Sequence, residues 1–200
     1  MARNFFSISL ILTFLFCTIT SNAQFGVEVN YGLNGVVQPS ITNFSHLGGG
    51  ISYDFNESYG AKLDFGSDKF RSDNALFNKE TGITITRISL QGTVNISDLI
   101  DPTSLYSVFN LSGHLGGGYS FIKSSEFKNN DNTVNAIIGL TPKIKISRGI
   151  YFAIDTSVIF NLSQHYGFDG AYTYDNYPNS ITGIMYNVTG GIIFKFNEYY

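Results

Sequence analysis

Residues 109–121 read FNLSGHLGGGYSF. Every second position gives Phe109, Leu111, Leu115, Tyr119 and Phe121; the alternate set gives Asn110, Ser112, His114, Gly116 and Gly118. A period of two is the signature of a β-strand with one apolar face and one polar or small face. The same alternation predicts eight strands, at 25–33, 47–56, 59–66, 83–96, 105–121, 133–146, 150–163 and 183–199. No 3.6-residue period competes with it. The connections alternate as well. Long polar segments (34–46, 67–82, 122–132, 164–182) follow the odd strands, and short ones (57–58, 97–104, 147–149) follow the even strands. An all-β chain of this design is an eight-stranded antiparallel up-and-down transmembrane β-barrel, with long loops on one rim and tight turns on the other.

Alternation does not by itself say which face is inside. A secreted, lipocalin-like binding barrel would turn its apolar side chains inward. Three features favour the opposite arrangement. The apolar set is almost free of charge, as lipid contact demands. The polar set is rich in glycine, which suits a narrow lumen. Aromatic residues fall at both ends of the strands, with Phe25, Phe55, Tyr59, Phe152, Phe194 and Phe196 toward the turn rim and Tyr31, Phe65, Tyr119, Phe121 and Tyr186 toward the loop rim. Such rings belong at the lipid–water boundary. The expectation is that Phe109, Leu111, Leu140, Val158 and Val188 face lipid, while Asn110, Lys143, Asp155 and Asn187 face the lumen.

The polar set places Glu28, Asp54, Asp64 and Asp155 in the lumen as acids and Lys62, Arg87, Lys143, Lys145 and Lys195 as bases. An eight-stranded barrel has just enough interior for its own side chains, and buried charges need partners. The expectation is a lumen plugged by charge pairs, with Arg87 as the hub because its planar fork can bridge two carboxylates.

Composition narrows the class further. The 200 residues include 18 Phe, 13 Tyr, no Trp, 21 Gly and only 14% charged residues. The formal net charge is −3, so there is no basic excess to hold nucleic acid. Residues 1–23 carry a secretory-signal pattern: Arg3, an apolar run from Phe5 to Ile19, and Ser21-Asn22-Ala23 as a cleavage site. Residues 24–200 form the barrel domain. The single Cys17 lies within the signal, so disulfides and thiol chemistry are not expected. The terminal alternation Phe194, Phe196 and Tyr200 resembles a signal read by the barrel-insertion machinery.

Several stretches look familiar: Thr86-Arg87-Ile88-Ser89-Leu90-Gln91-Gly92 with Val94-Asn95, Asn110-Leu111-Ser112-Gly113-His114-Leu115-Gly116, Ile138-Gly139-Leu140-Thr141-Pro142, and Phe160-Asn161-Leu162 running to His165-Tyr166 and Phe168-Asp169-Gly170. On these the chain resembles the OmpA-like eight-stranded outer-membrane barrels, particularly those of Bacteroidetes. The resemblance implies architecture and carries no catalytic signature. Many members of that family continue into a peptidoglycan-binding domain; this sequence runs just past strand eight, and for a chain that ends there the tether is not carried over.

Chemistry candidates are few. His46 and His165 fall in expected loops and read as surface residues. His114 with Ser112 is a His–Ser pair of the kind that small deacylase barrels use, but it reads as lumenal and out of reach of an acyl ester. Gly116-Gly117-Gly118 lacks the Lys-Ser/Thr of a phosphate loop; it reads as a strand thinned for a crowded lumen, or bent at a bulge. Pro142, without an N–H, is expected to mark a bulge. The aromatic loop Tyr166, Phe168, Tyr172, Tyr174 and Tyr177 reads as self-packed. Asn-x-Ser/Thr sequons begin at Asn43, Asn56, Asn95, Asn110, Asn161 and Asn187 and are discounted for an exported bacterial chain. The reading is a non-enzymatic, cofactor-free, monomeric outer-membrane barrel with a structural or surface-contact role, whose partners are membrane lipid and the insertion machinery. A narrow pore or surface ligand-binding barrel is the first alternative, and the soluble binder the second.

Overall fold

The computed structural model describes residues 24–38, 40–74, 79–103, 107–173 and 180–196. The signal pattern, Tyr174, Tyr177 and Tyr199-Tyr200 lie outside them. Eight strands run in chain order: β1 (Gln24–Val36), β2 (Ile41–Asp54), β3 (Tyr59–Asn74), β4 (Lys79–Asn95), β5 (Phe109–Ser124), β6 (Asn130–Ser147), β7 (Ile150–Gln164) and β8 (Ile181–Phe196). Each pairs antiparallel with the next, and β1 pairs with β8 to close the barrel. A one-turn helix α1 (Ile96–Ile100) precedes β5, with Asn95 accepting from the Asp98 N–H at its start. Closure leaves no unpaired sheet edge, so backbone donors and acceptors are satisfied without water.

The faces follow the alternation. Leu90 is 64% and Leu115 63% exposed on the outside. Phe109, Leu140 and Val188 are exposed there too, with Leu111 and Val158 partly covered. Both sets of rings stand outward, except that Tyr186 is partly covered beside its β1 partner Gly35. Inside, Asn34, Asp68, Ser120, Asn161 and Gln164 are fully buried.

Six of the strands are longer than the alternation suggested, chiefly at the loop rim, while β5 begins at Phe109 rather than at 105 and runs on to Ser124 instead of 121, and β8 begins at Ile181 rather than 183. β1, β2, β3 and β4 together take in most of the expected loops 34–46 and 67–82. There, on β3 and β4, the faces exchange character and the inward positions become apolar, whereas β5, β6 and β7 still turn Ser120, Asp131, Asn161 and Gln164 inward. Val36, Ile41, Phe70, Ile83, Ile85, Ile122, Ile137, Ile159 and Met185 form a buried cluster inside that end of the barrel. In β2 the inward parity also changes. The β1–β2 register shifts between Gly32 and Asn34, opposite the step from His46 to Asn43. One extra β2 residue is accommodated there, so both His46 and Ile41 point inward.

Two further expectations are corrected. His46 is not a surface loop residue; it lies in β2 and is buried in the lumen. Pro142 marks no bulge: β6 pairs Leu140 with Thr156 and Lys143 with Ala153 in one unbroken register, with only the two rungs at Thr141 and Pro142 absent. The neighbouring strand still pairs opposite Pro142, at Leu111. The shift in this ladder falls instead between Lys145 and Ser147, beside the turn where Gly149 takes a φ of 71°.

The triple glycine has a backbone cause. A Cβ on Gly118 would come within 1.9 Å of the Ile88 carbonyl oxygen, and one on Gly116 within 2.2 Å of that of Leu90. At Gly116 and Gly118 β5 therefore approaches β4 too closely for a side chain, and no register shift accompanies it.

Candidate functional site

The lumen is where ionisable groups from all eight strands converge, and it is layered. Toward the turn rim, Lys195 Nζ lies 2.7 Å from Asp54 Oδ2. Lys62 Nζ lies 2.9 Å from Glu28 Oε1 and 3.7 Å from Asp64 Oδ1. Lys62, from β3, is thus the base set between two carboxylates. Lys143 lines a cavity of about 30 Å³ with Glu28, Asp54, Lys62 and the hydroxyls of Ser52, Thr93, Ser112 and Thr141. Lys145 and Lys195 lie 5.9 and 5.7 Å from the ring centre of Tyr151, which packs with Ala153 and Ile193.

The middle layer contains the groups that the alternation alone did not supply. Arg87 binds Asp68, a residue of an expected loop. Asp68 Oδ1 lies 2.7 Å from His46 Nδ1. His46 also meets Asn30 and Asn187 at 3.0 Å. Arg87 therefore sits in a chain of groups running from β4 through β3 and β2 to β8, and the role of bridging two predicted lumen acids falls to Lys62. Asp68 lies just past the expected strand 59–66, because Phe70, the next inward residue, is apolar and breaks the polar parity there.

Beside this chain, His114 Nε2 lies 2.9 Å from Asp155 Oδ2 and 3.5 Å from Ser157 Oγ, while Thr141 donates to Asp155 at 2.8 Å. The trio has the composition of a hydrolytic triad but not its geometry. The acid and the hydroxyl share one imidazole nitrogen, whereas a triad needs the acid on the far nitrogen to orient the base. Ser112 and His114 are both buried in the lumen, away from the lipid-facing surface.

The loop-rim layer sets the apolar cluster beside the hydrogen-bonded Ser120, Asn161 and Gln164, and it is lidded. Phe168, from the segment after β7, stacks edge-on against Phe70 with ring centres 5.0 Å apart. Tyr166 stacks on Phe127 and meets Tyr172 edge-on. Ser124 Oγ donates to the Gly170 carbonyl at 2.9 Å, and Gly170, at a φ of 88°, rests on the backbone of Gly82. Of the aromatic loop, the described Tyr166, Phe168 and Tyr172 pack together, and into the barrel mouth more than over its surface. His165 at the rim accepts or donates at 2.9 Å with Asp131.

Between these layers a cavity of about 10 Å³ remains, bordered by His46, Lys62, Arg87 and His114. That is room for a single water.

An apolar exterior, a closed ladder and a filled polar interior define an eight-stranded transmembrane β-barrel. No family model matches the chain, and no curated protein sequence matches it. In structure it is similar to a major outer membrane protein of Thermus thermophilus, with a TM-score of 0.60 at 12% identity over 88% of this chain and 100% of that one. It is also similar to Neisserial surface protein A, with a TM-score of 0.57 at 7% identity over 88% of this chain and 98% of that one. At such identities the likeness is one of fold.

Proposed function

We propose that the protein is a small outer-membrane barrel that serves as a sealed element of the envelope or as a surface for contact, and that its lumen carries no solute flux. The inside-out arrangement carries the reading: large apolar side chains such as Leu90, Leu115 and Ile138 stand outside while Asp68, Asn161 and Gln164 are enclosed. In water, such an exterior would be a continuous aggregation surface; in lipid it is the required one. Two successive plugs, one of charge pairs and one of aromatic and aliphatic side chains, support a closed lumen. An even strand number sets both ends of the barrel on one side, so the turns face the periplasm and the aromatic lid faces out.

The signal pattern supports export, and monomeric insertion by the barrel machinery follows from the same reading. The test is fractionation of a producing cell, followed by planar-bilayer recording of the purified protein. Recovery in the outer membrane with a heat-modifiable band and no discrete conductance is expected. A protein soluble without detergent overturns the membrane reading, and steady unit conductance overturns the sealed lumen.

A further inference from the structure

We propose that Lys69, Arg71 and Lys123 form a binding site for the phosphate of a glycolipid headgroup in the leaflet beside the loop rim. The proposal rests on the membrane reading above.

The register builds the site. Lys69 of β3 pairs with Thr84 of β4, and Thr84 pairs in turn with Lys123 of β5. Adjacent strands are about 4.8 Å apart, so the two lysines stand roughly 10 Å apart on either side of one threonine. Both are exposed and on the outward parity. An ammonium at the end of a four-carbon stem covers half that gap, so both can close on one anion.

Arg71 completes the cradle. Its Nη1 donates to the carbonyls of Phe70 at 2.7 Å and Ile83 at 3.0 Å, and its Nη2 to Thr84 Oγ1 at 3.4 Å. The guanidinium is thereby fixed against β4 next to the threonine that separates the lysines. A fixed planar fork flanked by two mobile point charges is the donor set that phosphate recognition uses.

Height and charge argue for a lipid source. Directly below on the same outward faces lie Phe65 on β3 and Tyr119 and Phe121 on β5, each about half exposed. Rings at that position mark the edge of the hydrocarbon, so the three cations stand at headgroup level. Elsewhere Lys62, Lys79, Arg87 and Lys195 each sit against a carboxylate. Among the described residues no carboxylate lies in ion-pair range of Lys69, Arg71 or Lys123. The outward acids of this hairpin, Asp73 and Glu80, face each other one outward position nearer its tip than Arg71. The positive group of Lys69, Arg71 and Lys123 lies on the membrane side of them, where a phosphorylated headgroup in the adjoining leaflet is placed to join it.

The experiment folds the protein into phosphatidylcholine vesicles and adds bis-phosphorylated lipid A or its dephosphorylated form, with retained lipid counted by native mass spectrometry after detergent release. The phosphorylated form should be retained preferentially, and Lys69→Ala with Lys123→Ala should weaken that retention roughly tenfold or more. Lys69→Arg with Lys123→Arg should restore it, and Lys79→Ala with Lys128→Ala should leave it unchanged. Equal retention of both lipids, or no loss in the Lys69/Lys123 variant, overturns the site. Full displacement by inorganic phosphate at physiological concentration overturns the lipid as its source. Failure to insert into phosphatidylcholine alone overturns the membrane reading itself, whereas insertion without lipid preference overturns only the site.

Discussion

His46 Nδ1 lies 2.7 Å from Asp68 Oδ1 at the centre of the barrel, and the Asp68 side chain is wholly buried. Arg87 occupies the other carboxylate oxygen. One acid is therefore held by groups from the strands on both of its sides, and Asn187 of β8 extends the chain across the lumen. A buried charge held this way stabilises only as a complete set, because each member's desolvation is offset by the others.

Removing Arg87 breaks that set. Arg87→Ala should lower the stability of the folded barrel by about 3–5 kcal/mol, the cost of leaving a buried partner uncompensated. Urea unfolding from detergent micelles measures it. Adding Asp68→Asn to that variant should cost less than the two single changes summed, since the orphaned charge is gone. An unchanged unfolding midpoint for Arg87→Ala would contradict a charge-held lumen.

The aromatic lid is a separate layer. Phe168→Ala opens a hole over Phe70 and should cost about 3–5 kcal/mol. The polar layer beneath stays intact, so planar-bilayer recordings should still show no unit conductance. A channel opened by this one change would mean that the lid alone seals the barrel.

Backbone approach, not side-chain chemistry, fixes two lumenal glycines. Gly118→Ala drives a methyl into the Ile88 carbonyl and should destabilise by at least about 1–3 kcal/mol, as overpacking does. Gly92→Ala, on the outer face of the adjacent strand with its nearest contact 3.9 Å away, should change stability by about 0.5 kcal/mol or less. Heat-modifiability on gels ranks the two. Equal tolerance would mean that β4 and β5 can move apart.

The alternation made the strand number, the antiparallel order and the two faces legible, because lipid and lumen impose opposite chemistry on successive residues. It failed at the loop rim for a physical reason. Beyond the aromatic girdle the outside meets water and headgroups, so Lys69, Arg71 and Lys123 point out, while Phe70, Ile83 and Ile85 point in. On β3 and β4 period two persists there with its polarity inverted, and the inversion reads as a loop. The same inversion hid Asp68, and with it the true partner of Arg87. His46 keeps the inward parity of Gly48 and Gly50, but the extra β2 residue lies just beyond it and shifts parity without leaving a composition signal, so the alternating run breaks off at Leu47. The lid was half legible: its aromatic content suggested self-packing, but nothing local says that Phe168 reaches Phe70, nearly a hundred residues earlier.

The most direct test of the inside-out barrel uses the absence of cysteine from residue 24 onward. Single cysteines at Leu90, Leu115, Ile138 and Leu140, and at the lumenal positions Ser89, Asn135 and Thr141, are spin-labelled in lipid vesicles, and collision with oxygen and with a water-soluble nickel complex is measured. High oxygen and low nickel accessibility are expected at the first four and low oxygen accessibility at the other three. High nickel accessibility at Leu90, Leu115, Ile138 and Leu140 would contradict it.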